Sequence, residues 1–197
     1  MNKRIIVFVL TSVACLTAMA QFGIGMRDTR YLNINYTFAT RFNAEFEHSV
    51  FAEKFKYQHV RFSGSYTLPV KNFEFQAKPY FGTLYDGDYY DVGAFLCVRY
   101  NVVKPLMLCG TLNPHYDSGF SYKTCFMLGA ECKVYKDLSV VAQYTTIPEY
   151  RQSEKRIRAG LKLDVGRLWV QPLLSIPVES GKTKSVRVAV SMGYQFR

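Results

Sequence analysis

Two short segments hold the residue types from which hydrolytic enzymes build active sites. They are His115 with Asp117 and Ser118, and His48 with Glu47 and Ser49. A histidine beside a carboxylate can act as a general base for a serine nucleophile. However, the stretch from Pro114 to Gly119 has the composition of a turn throughout, which favours an ordinary loop. Catalysis is therefore a minor alternative for this chain.

Four cysteines follow residue 20, namely Cys97, Cys109, Cys125 and Cys132. Cys97 and Cys109 are equidistant from a short turn near Val103, which makes them a candidate disulfide in an oxidising compartment. A direct cross-strand disulfide is geometrically demanding, so free thiols that fill small spaces are the favoured interpretation. There is no Cys-x-x-Cys motif, and the sequence predicts neither a metal site nor a cofactor.

The first twenty residues have the organisation of a secretory signal peptide. A basic start at Asn2-Lys3-Arg4 precedes an apolar run from Ile5 to Thr17, and Ala18-Met19-Ala20 forms a small-x-small cleavage site. A lipidated Cys15 is disfavoured, because Ser12 stands where a lipobox has leucine. We therefore predict a signal peptide over residues 1–20 and one exported domain over residues 21–197.

The exported domain is basic. Two of the 25 Lys and Arg residues lie in the signal, which leaves 23 against 15 acidic residues and a net charge of +8. This charge favours acidic neighbours such as lipid phosphates or anionic solutes. No basic run or helical recognition motif accompanies it, so nucleic acid is not an expected partner.

Apolar and polar residues alternate along almost the whole domain, which is typical of β-strands with two different faces. In the last segment, the apolar positions are Val186, Val188, Val190, Met192, Tyr194 and Phe196. Cys97, Cys109 and Cys125 fall on the polar parity of successive segments, whereas Cys132 falls on the apolar parity. No apolar run beyond the signal is long enough for a membrane helix. The pattern therefore predicts an all-β fold.

Turn-forming breaks divide this pattern into ten strands, with eight or twelve as alternatives. Short breaks alternate with longer polar ones, as periplasmic turns and extracellular loops do in outer-membrane barrels. The count treats Tyr31 to Glu47 as one long strand and Phe22 to Asp28 as a lead-in outside the barrel. Pro172 and Pro177 predict an irregular backbone in the penultimate strand.

Alternation alone also fits a soluble lipocalin-like barrel with its apolar face inside. Three features favour a membrane barrel. Tyr and Phe, 15 of each, concentrate at strand ends, where they suit two membrane interfaces. The polar faces mix small residues with charges of both signs, as in a narrow lumen. The chain also closes on an alternating strand with an aromatic residue near its end.

That closing strand carries a family resemblance. Its residues Val190, Met192, Tyr194 and Phe196 resemble the C-terminal insertion signal of small outer-membrane β-barrels of Gram-negative bacteria, the class of OmpX and the OmpA barrel. Here Arg197 follows the aromatic residue, where many members end on it. The resemblance implies an antiparallel transmembrane barrel that the barrel-insertion machinery recognises and that lies as a monomer in the outer membrane. It does not imply an activity.

The polar parity predicts a charge network inside the barrel. Its main members are Arg41, Glu45, Arg61, Glu74, Arg99, Glu131, Arg158, Lys162 and Arg187, and the same parity includes Glu47, Lys78, Lys133 and Arg156. In a narrow ten-stranded barrel these side chains would pair across the lumen and plug it. A structural or surface-interacting barrel is then the favoured function. The alternatives are a narrow pore with anion preference and an enzyme acting on lipid or peptide.

Two predicted outer loops are rich in basic residues. Their members are Arg151, Lys155, Lys182 and Lys184. Clustered cations at a membrane surface attract anionic head groups, so lipopolysaccharide is an expected partner. Nearby glutamates leave open the simpler interpretation of solvated loop charge.

Overall fold

The computed structural model describes residues 21–38, 40–50, 58–119, 121–147, 155–178 and 186–196. Within them lie twelve antiparallel strands. Their bounds are β1 Gln21–Arg27, β2 Tyr31–Phe38, β3 Phe42–Ser49, β4 His59–Val70, β5 Phe73–Leu84, β6 Tyr90–Val103, β7 Leu106–Asp117, β8 Ser121–Tyr135, β9 Leu138–Thr145, β10 Arg156–Val165, β11 Leu168–Pro177 and β12 Arg187–Gln195. Each strand pairs with its neighbours in sequence, and β1 pairs with β12, so the sheet closes into a barrel.

The ten-strand count was wrong, because the first segment forms a hairpin and a preceding strand. Gln21–Arg27 is β1 and not a lead-in, and it pairs with β2 along its whole length. The segment from Tyr31 to Glu47 folds back between Phe38 and Phe42, which are register partners. This turn contains no Gly, Pro, Asn or Asp, and Thr40 adopts a left-handed φ of 56°. Its three residues also preserve the alternation, so the sequence pattern passes through the turn unbroken.

The alternation places apolar residues outside and polar residues inside. Outward-facing Phe62 is 56% exposed, whereas His59, on the inward parity of the same strand, is 2% exposed. Aromatic rings gather outside at both ends of the barrel, with Phe73 stacked on Tyr100 at one end and Tyr90 near Tyr116 at the other. An apolar outer band between two aromatic girdles is the surface that a bilayer requires.

The connections differ between the two ends of the barrel. Breaks of two or three residues at 39–41, 71–72, 104–105, 136–137 and 166–167 share one end with both termini, which we call the short-turn end. The opposite loop end has the longer breaks at 50–58, 85–89, 146–155 and 178–186, together with two three-residue breaks at 28–30 and 118–120. The stretch from Pro114 to Gly119 is not simply a loop, since β7 continues to Asp117. At Pro172 the pairing with β10 is interrupted without a register shift, because proline lacks the N–H donor.

Candidate functional site

The lumen collects most of the charged side chains of the described strands. Of the predicted network, Glu45, Arg61, Glu74, Arg99, Glu131, Arg158, Lys162 and Arg187 occupy lumen-facing positions. Arg41 does not, so its assignment to the network was wrong. It lies exposed in the turn between β2 and β3, which the one-strand interpretation had missed, and its carbonyl accepts a hydrogen bond from the Thr67 amide.

A cluster of five residues lies towards the loop end of the lumen, with Glu47, His59 and Asp91 buried and Arg27 the most exposed member. We call Arg27, Glu47, His59, Arg61 and Asp91 the loop-end cluster. Arg27 donates two hydrogen bonds to Glu47, at 2.7 and 3.1 Å, and Arg61 lies 3.7 Å from the same carboxylate. Arg61 and the His59 ring each contact Asp91 at 2.7 Å. The cluster therefore links β1, β3, β4 and β6 by charge-assisted hydrogen bonds.

Gly82 makes the meeting of His59 and Asp91 possible. These side chains come from β4 and β6, and they reach each other over β5 at the position of Gly82. A Cβ atom on Gly82 would lie 2.2 Å from Asp91 Oδ1 and 2.6 Å from His59 Nε2. Only glycine leaves this space free, so one missing side chain determines how the cluster assembles.

The other ion pairs also run along the barrel wall. Lys78 contacts Glu45 at 2.6 Å, and Lys162 contacts Glu131 at 3.3 Å, in both cases between strands two positions apart. Arg99 pairs with its register partner Glu74. The longest reach is from Arg158 on β10 to Asp28 beyond β1, at 3.5 Å. These ion pairs connect strands at most three positions apart.

The lumen charges are divided between two walls. The lumen-facing acids of β3–β7 are Glu45, Glu47, Glu74, Asp91 and Asp117, against the bases Arg61, Lys78 and Arg99. The lumen-facing bases of β8–β12 are Lys123, Lys133, Arg156, Arg158, Lys162 and Arg187, against the acids Glu131 and Asp164. We call these the acidic wall and the basic wall. Because they face each other, an electric field acts across the lumen.

The described part of the lumen contains at least two cavities. A cavity of about 330 Å³ lies towards the loop end, where both walls and the loop-end cluster line it. A second cavity of about 180 Å³ opens at the short-turn end beside Lys133 and Glu131. On β8, Met127 of the first cavity and Glu131 of the second are separated by a single lumen-facing position, Gly129. On the wall formed by β6, β7 and β8, the part of the lumen between the two cavities is lined by the register partners Arg99, Cys109 and Gly129.

Neither of the two candidate catalytic groups assembles into a triad. His115 lies 3.8 Å from Asp117 in the lumen, but the Ser118 hydroxyl accepts a hydrogen bond from the Tyr90 amide. His48 faces outward near the ring of Tyr85, since adjacent strand residues point to opposite faces. It is thereby separated from Glu47, which binds Arg27.

Cys97 and Cys109, the candidate disulfide pair, are free thiols, as the favoured interpretation expected, and they do not face each other. Cys97 is the register partner of Thr111, and Cys109 is the partner of Arg99. The turn between β6 and β7 is centred on residues 104–105 rather than on Val103, which offsets the two thiols diagonally. Among the described residues, no group of three His, Cys, Asp or Glu side chains is arranged to hold a metal ion.

The predicted insertion signal lies on β12 and just beyond it. Met192, Tyr194 and Phe196 face outward, and the Phe196 ring packs on Phe22 of β1 with centroids 5.6 Å apart. Val190 shares this parity, and its backbone exchanges hydrogen bonds with Thr29. Recognition of these residues by the insertion machinery stays a prediction.

Of the predicted basic loop residues, only Lys155 is described. It is exposed at the loop end, and its carbonyl accepts a hydrogen bond from the Val178 amide. Arg151, Lys182 and Lys184 lie outside the described residues, as does the predicted signal peptide at 1–20.

Three members of the loop-end cluster, Arg27, His59 and Asp91, were not predicted from the sequence. The signal was present, because extending the alternation of Val60 and Phe62 by one residue places His59 inside. Likewise, Phe22, Ile24 and Met26 alternate with small residues and point to a strand that ends at Arg27.

Comparisons with known proteins support the fold. The chain matches no protein-family model and no curated protein. Among the described residues, no helix is long and apolar enough to cross a membrane. Solved structures similar to it include the KdgM porin in complex with disordered oligogalacturonate, with a TM-score of 0.69 and 13% identity over 90% of this chain and 99% of that chain. The NanC porin has a TM-score of 0.57 and 10% identity over 90% and 99% of the two chains. The Acinetobacter baumannii outer membrane protein Omp33 has a TM-score of 0.54 and 10% identity over 90% and 96%. The chain therefore has the transmembrane β-barrel fold of outer-membrane porins.

Proposed function

We propose that this protein is a narrow outer-membrane pore that favours small anionic solutes. The observation that carries the proposal is the division of the lumen into an acidic and a basic wall along two cavities. The ion pairs of Lys78 with Glu45, Arg99 with Glu74 and Lys162 with Glu131 run along the wall and not across the centre of the barrel. A solute can then pass between the walls, and the excess of cations on β8–β12 favours anions.

The similar structures support a pore of this kind. Twelve strands enclose a wider lumen than the ten on which the plugged-barrel interpretation was based, because barrel diameter grows with strand number. That interpretation stays open as the alternative, and it predicts a barrel that does not conduct. The KdgM structure carries oligogalacturonate, a carboxylate-bearing sugar polymer. Acidic saccharides are therefore reasonable first solutes to test.

Conductance across a planar lipid bilayer tests the proposal directly. The refolded protein should give discrete conductance steps, and its reversal potential in a salt gradient should indicate preference for chloride over potassium. Lys133 lines the short-turn-end cavity, so Lys133→Glu should lower the chloride preference by about twofold or more at low ionic strength, where screening is weak.

Arg41→Glu is the matched control, since it makes the same charge change at the same end of the barrel but outside the lumen. It should leave the reversal potential nearly unchanged. Absence of conductance from correctly folded protein would refute the pore and favour the plugged barrel. Conducting steps with cation preference would refute the assigned role of the basic wall.

A further inference from the structure

At the loop end, the barrel wall is lower at the β1–β2 hairpin than at β12. Pairing between β1 and β12 ends at Met26 and Met192, and the turn residue Thr29 follows β12 only as far as Val190. Strand β12 continues beyond Val190 for three more residues, to Arg187, which is a length of about 10 Å. Among the described residues, this difference leaves a gap beside the edge of β12 and above the β1–β2 turn, which we call the rim notch.

A cavity of about 310 Å³ occupies the rim notch. The turn residues 28–30 line it on one side, and Ser175 of β11 with Arg187 and Val188 of β12 line it on the other. Ser175 and Arg187 lie on the lumen-facing parity of their strands, whereas Val188 faces outward. The cavity therefore lies between the mouth of the lumen and the outer surface of the barrel.

Arginine side chains surround this cavity. Those that line it or contact its lining are Arg27, Arg30, Arg156, Arg158 and Arg187. Of the described lining residues only Asp28 is acidic, and its Oδ2 atom already lies 3.5 Å from both Arg27 Nη1 and Arg158 Nη1. Among the described residues, the charge around the rim notch is therefore positive, which favours an anionic ligand.

The polar groups at the rim notch are mainly hydrogen-bond donors. The Thr29 hydroxyl oxygen accepts a hydrogen bond from the Val190 amide at 3.1 Å, which leaves the hydroxyl hydrogen to donate. The Ser175 hydroxyl oxygen likewise accepts one from Arg156 Nε at 3.2 Å. Backbone groups alternate in direction along a strand, so those of Val188 point into the notch, as those of Val190 point to Thr29. Such donors suit a group with several anionic acceptor oxygens, and the arginine fork matches phosphate in particular.

The surroundings of the rim notch relate it to the membrane. We expect the loop end to be the outer end of the barrel, because short turns are periplasmic in outer-membrane barrels. On the adjoining outer surface, Val186 and Val188 are 57% and 67% exposed, and Ile176 of β11 is 40% exposed. A cationic notch beside an apolar outer surface fits a lipid whose phosphate lies among the head groups and whose acyl chains lie against the barrel.

We propose that the rim notch binds a phosphate group carried by a lipid of the outer leaflet, of the lipopolysaccharide class. Arg30 and Arg187 hold the phosphate oxygens through their guanidinium N–H groups. The Thr29 hydroxyl and the Val188 amide add single donors, and the acyl chains lie against the exposed valines. This site goes beyond the proposed pore, and its donors belong to a strand and a short turn rather than to the predicted basic loops.

Native mass spectrometry of the refolded protein in detergent counts bound lipid directly. We expect one molecule of phosphorylated lipid A per barrel, and binding of dephosphorylated lipid A that is weaker by about tenfold or more. Arg30→Gln and Arg187→Gln should each weaken the binding of phosphorylated lipid A by about tenfold, because each removes charge-assisted hydrogen bonds. Arg187→Lys should also weaken it, since lysine keeps the charge but lacks the planar fork.

Arg41→Gln is the matched control, because it removes an exposed arginine at the short-turn end, and it should leave the affinity unchanged. An equal loss of affinity in this control would show attraction to net charge alone and overturn the site. Unchanged affinity in Arg187→Gln would also overturn it.

Two results with the wild-type protein test the ligand without any variant. Equal binding of phosphorylated and dephosphorylated lipid A would refute a phosphate site. Inorganic phosphate that displaces lipid A with an equal affinity would show that the rim notch binds free phosphate, and the lipid assignment would be wrong. Because binding is measured without conductance, a protein that does not conduct would refute the pore and leave this site untouched.

Discussion

Substitution of Gly82 by alanine should disrupt the loop-end cluster, because the new side chain would occupy the space in which His59 and Asp91 meet. The added methyl group would lie 2.2 Å from Asp91 Oδ1 and 2.6 Å from His59 Nε2, closer than nonbonded atoms approach. Both atoms end side chains that could move, but each is held by a 2.7 Å contact, and Asp91 also binds Arg61. The side chains can therefore move aside only by giving up hydrogen bonds.

The expected cost follows from what is lost. His59 and Asp91 are only 2% and 4% exposed, so little solvent reaches the broken contact. A hydrogen bond to a charged group contributes about 1.5–3 kcal/mol. We therefore expect Gly82→Ala to lower the free energy of unfolding by about 2 kcal/mol. Gly64→Ala is the matched control on the same hairpin, because a Cβ there meets nothing within 4 Å. It should be neutral or stabilise by about 0.4–1 kcal/mol, since alanine restricts the unfolded chain.

Urea unfolding in lipid vesicles, followed by the fluorescence of the single tryptophan, Trp169, measures both variants. In an Asp91→Ala background the penalty of Gly82→Ala should shrink by more than about 1 kcal/mol, because the closest clash is gone. Equal free energies for Gly82→Ala and Gly64→Ala would refute the reasoning. An undiminished penalty in the Asp91→Ala background would show that the backbone, and not the cluster, is the source of the cost.

Two further predictions concern the outer surface. Leu161→Arg at mid-strand should destabilise the barrel in vesicles by about 2–4 kcal/mol, because the cation meets hydrocarbon. Gln76→Arg in the lumen should cost clearly less. Equal costs for the two variants would mean that the two faces of the strands are wrongly assigned. Joint neutralisation of the predicted basic loop residues, Arg151, Lys155, Lys182 and Lys184, should weaken salt-sensitive binding to lipopolysaccharide micelles, because each cation contributes about 1 kcal/mol near an anionic surface. Unchanged binding would mean that these charges only keep the loops solvated.

Strand parity could be predicted from sequence because it depends on one local property, the alternation of apolar and polar residues. It placed Glu45, Arg61 and Lys162 inside the barrel before any partner was known. The strand number could not be obtained in the same way, since a three-residue turn between Phe38 and Phe42 preserves the alternation. Arg41 was misplaced for that reason. From the sequence alone, a residue at the exposed end of a strand cannot be distinguished from a turn residue when no Gly or Pro marks the reversal of the chain.

The partners of the lumen charges depend on a different kind of information. His59 and Asp91 are 32 positions apart, and they meet only because barrel register aligns them over Gly82. Arg158 reaches Asp28 only because the closure of β1 onto β12 brings the two ends of the chain together. Alternation states which face a residue occupies, but contact across an intervening strand also requires the register of three strands and a small residue between them.

The two-walled lumen, in contrast, follows from the order of charges along the chain. In a barrel whose strands pair in sequence order, residues close in sequence are also close around the circumference. Lumen acids concentrate between Glu45 and Asp117, and lumen bases concentrate between Lys123 and Arg187. Strands β3–β7 therefore form the acidic wall and strands β8–β12 the basic wall, while Arg27 of β1 binds Glu47 of the acidic wall. A barrel with the same lumen residues in a mixed order would have the same net charge but no field across its lumen. The charge order along the chain, more than the net charge, is thus the property on which the proposed anion preference depends.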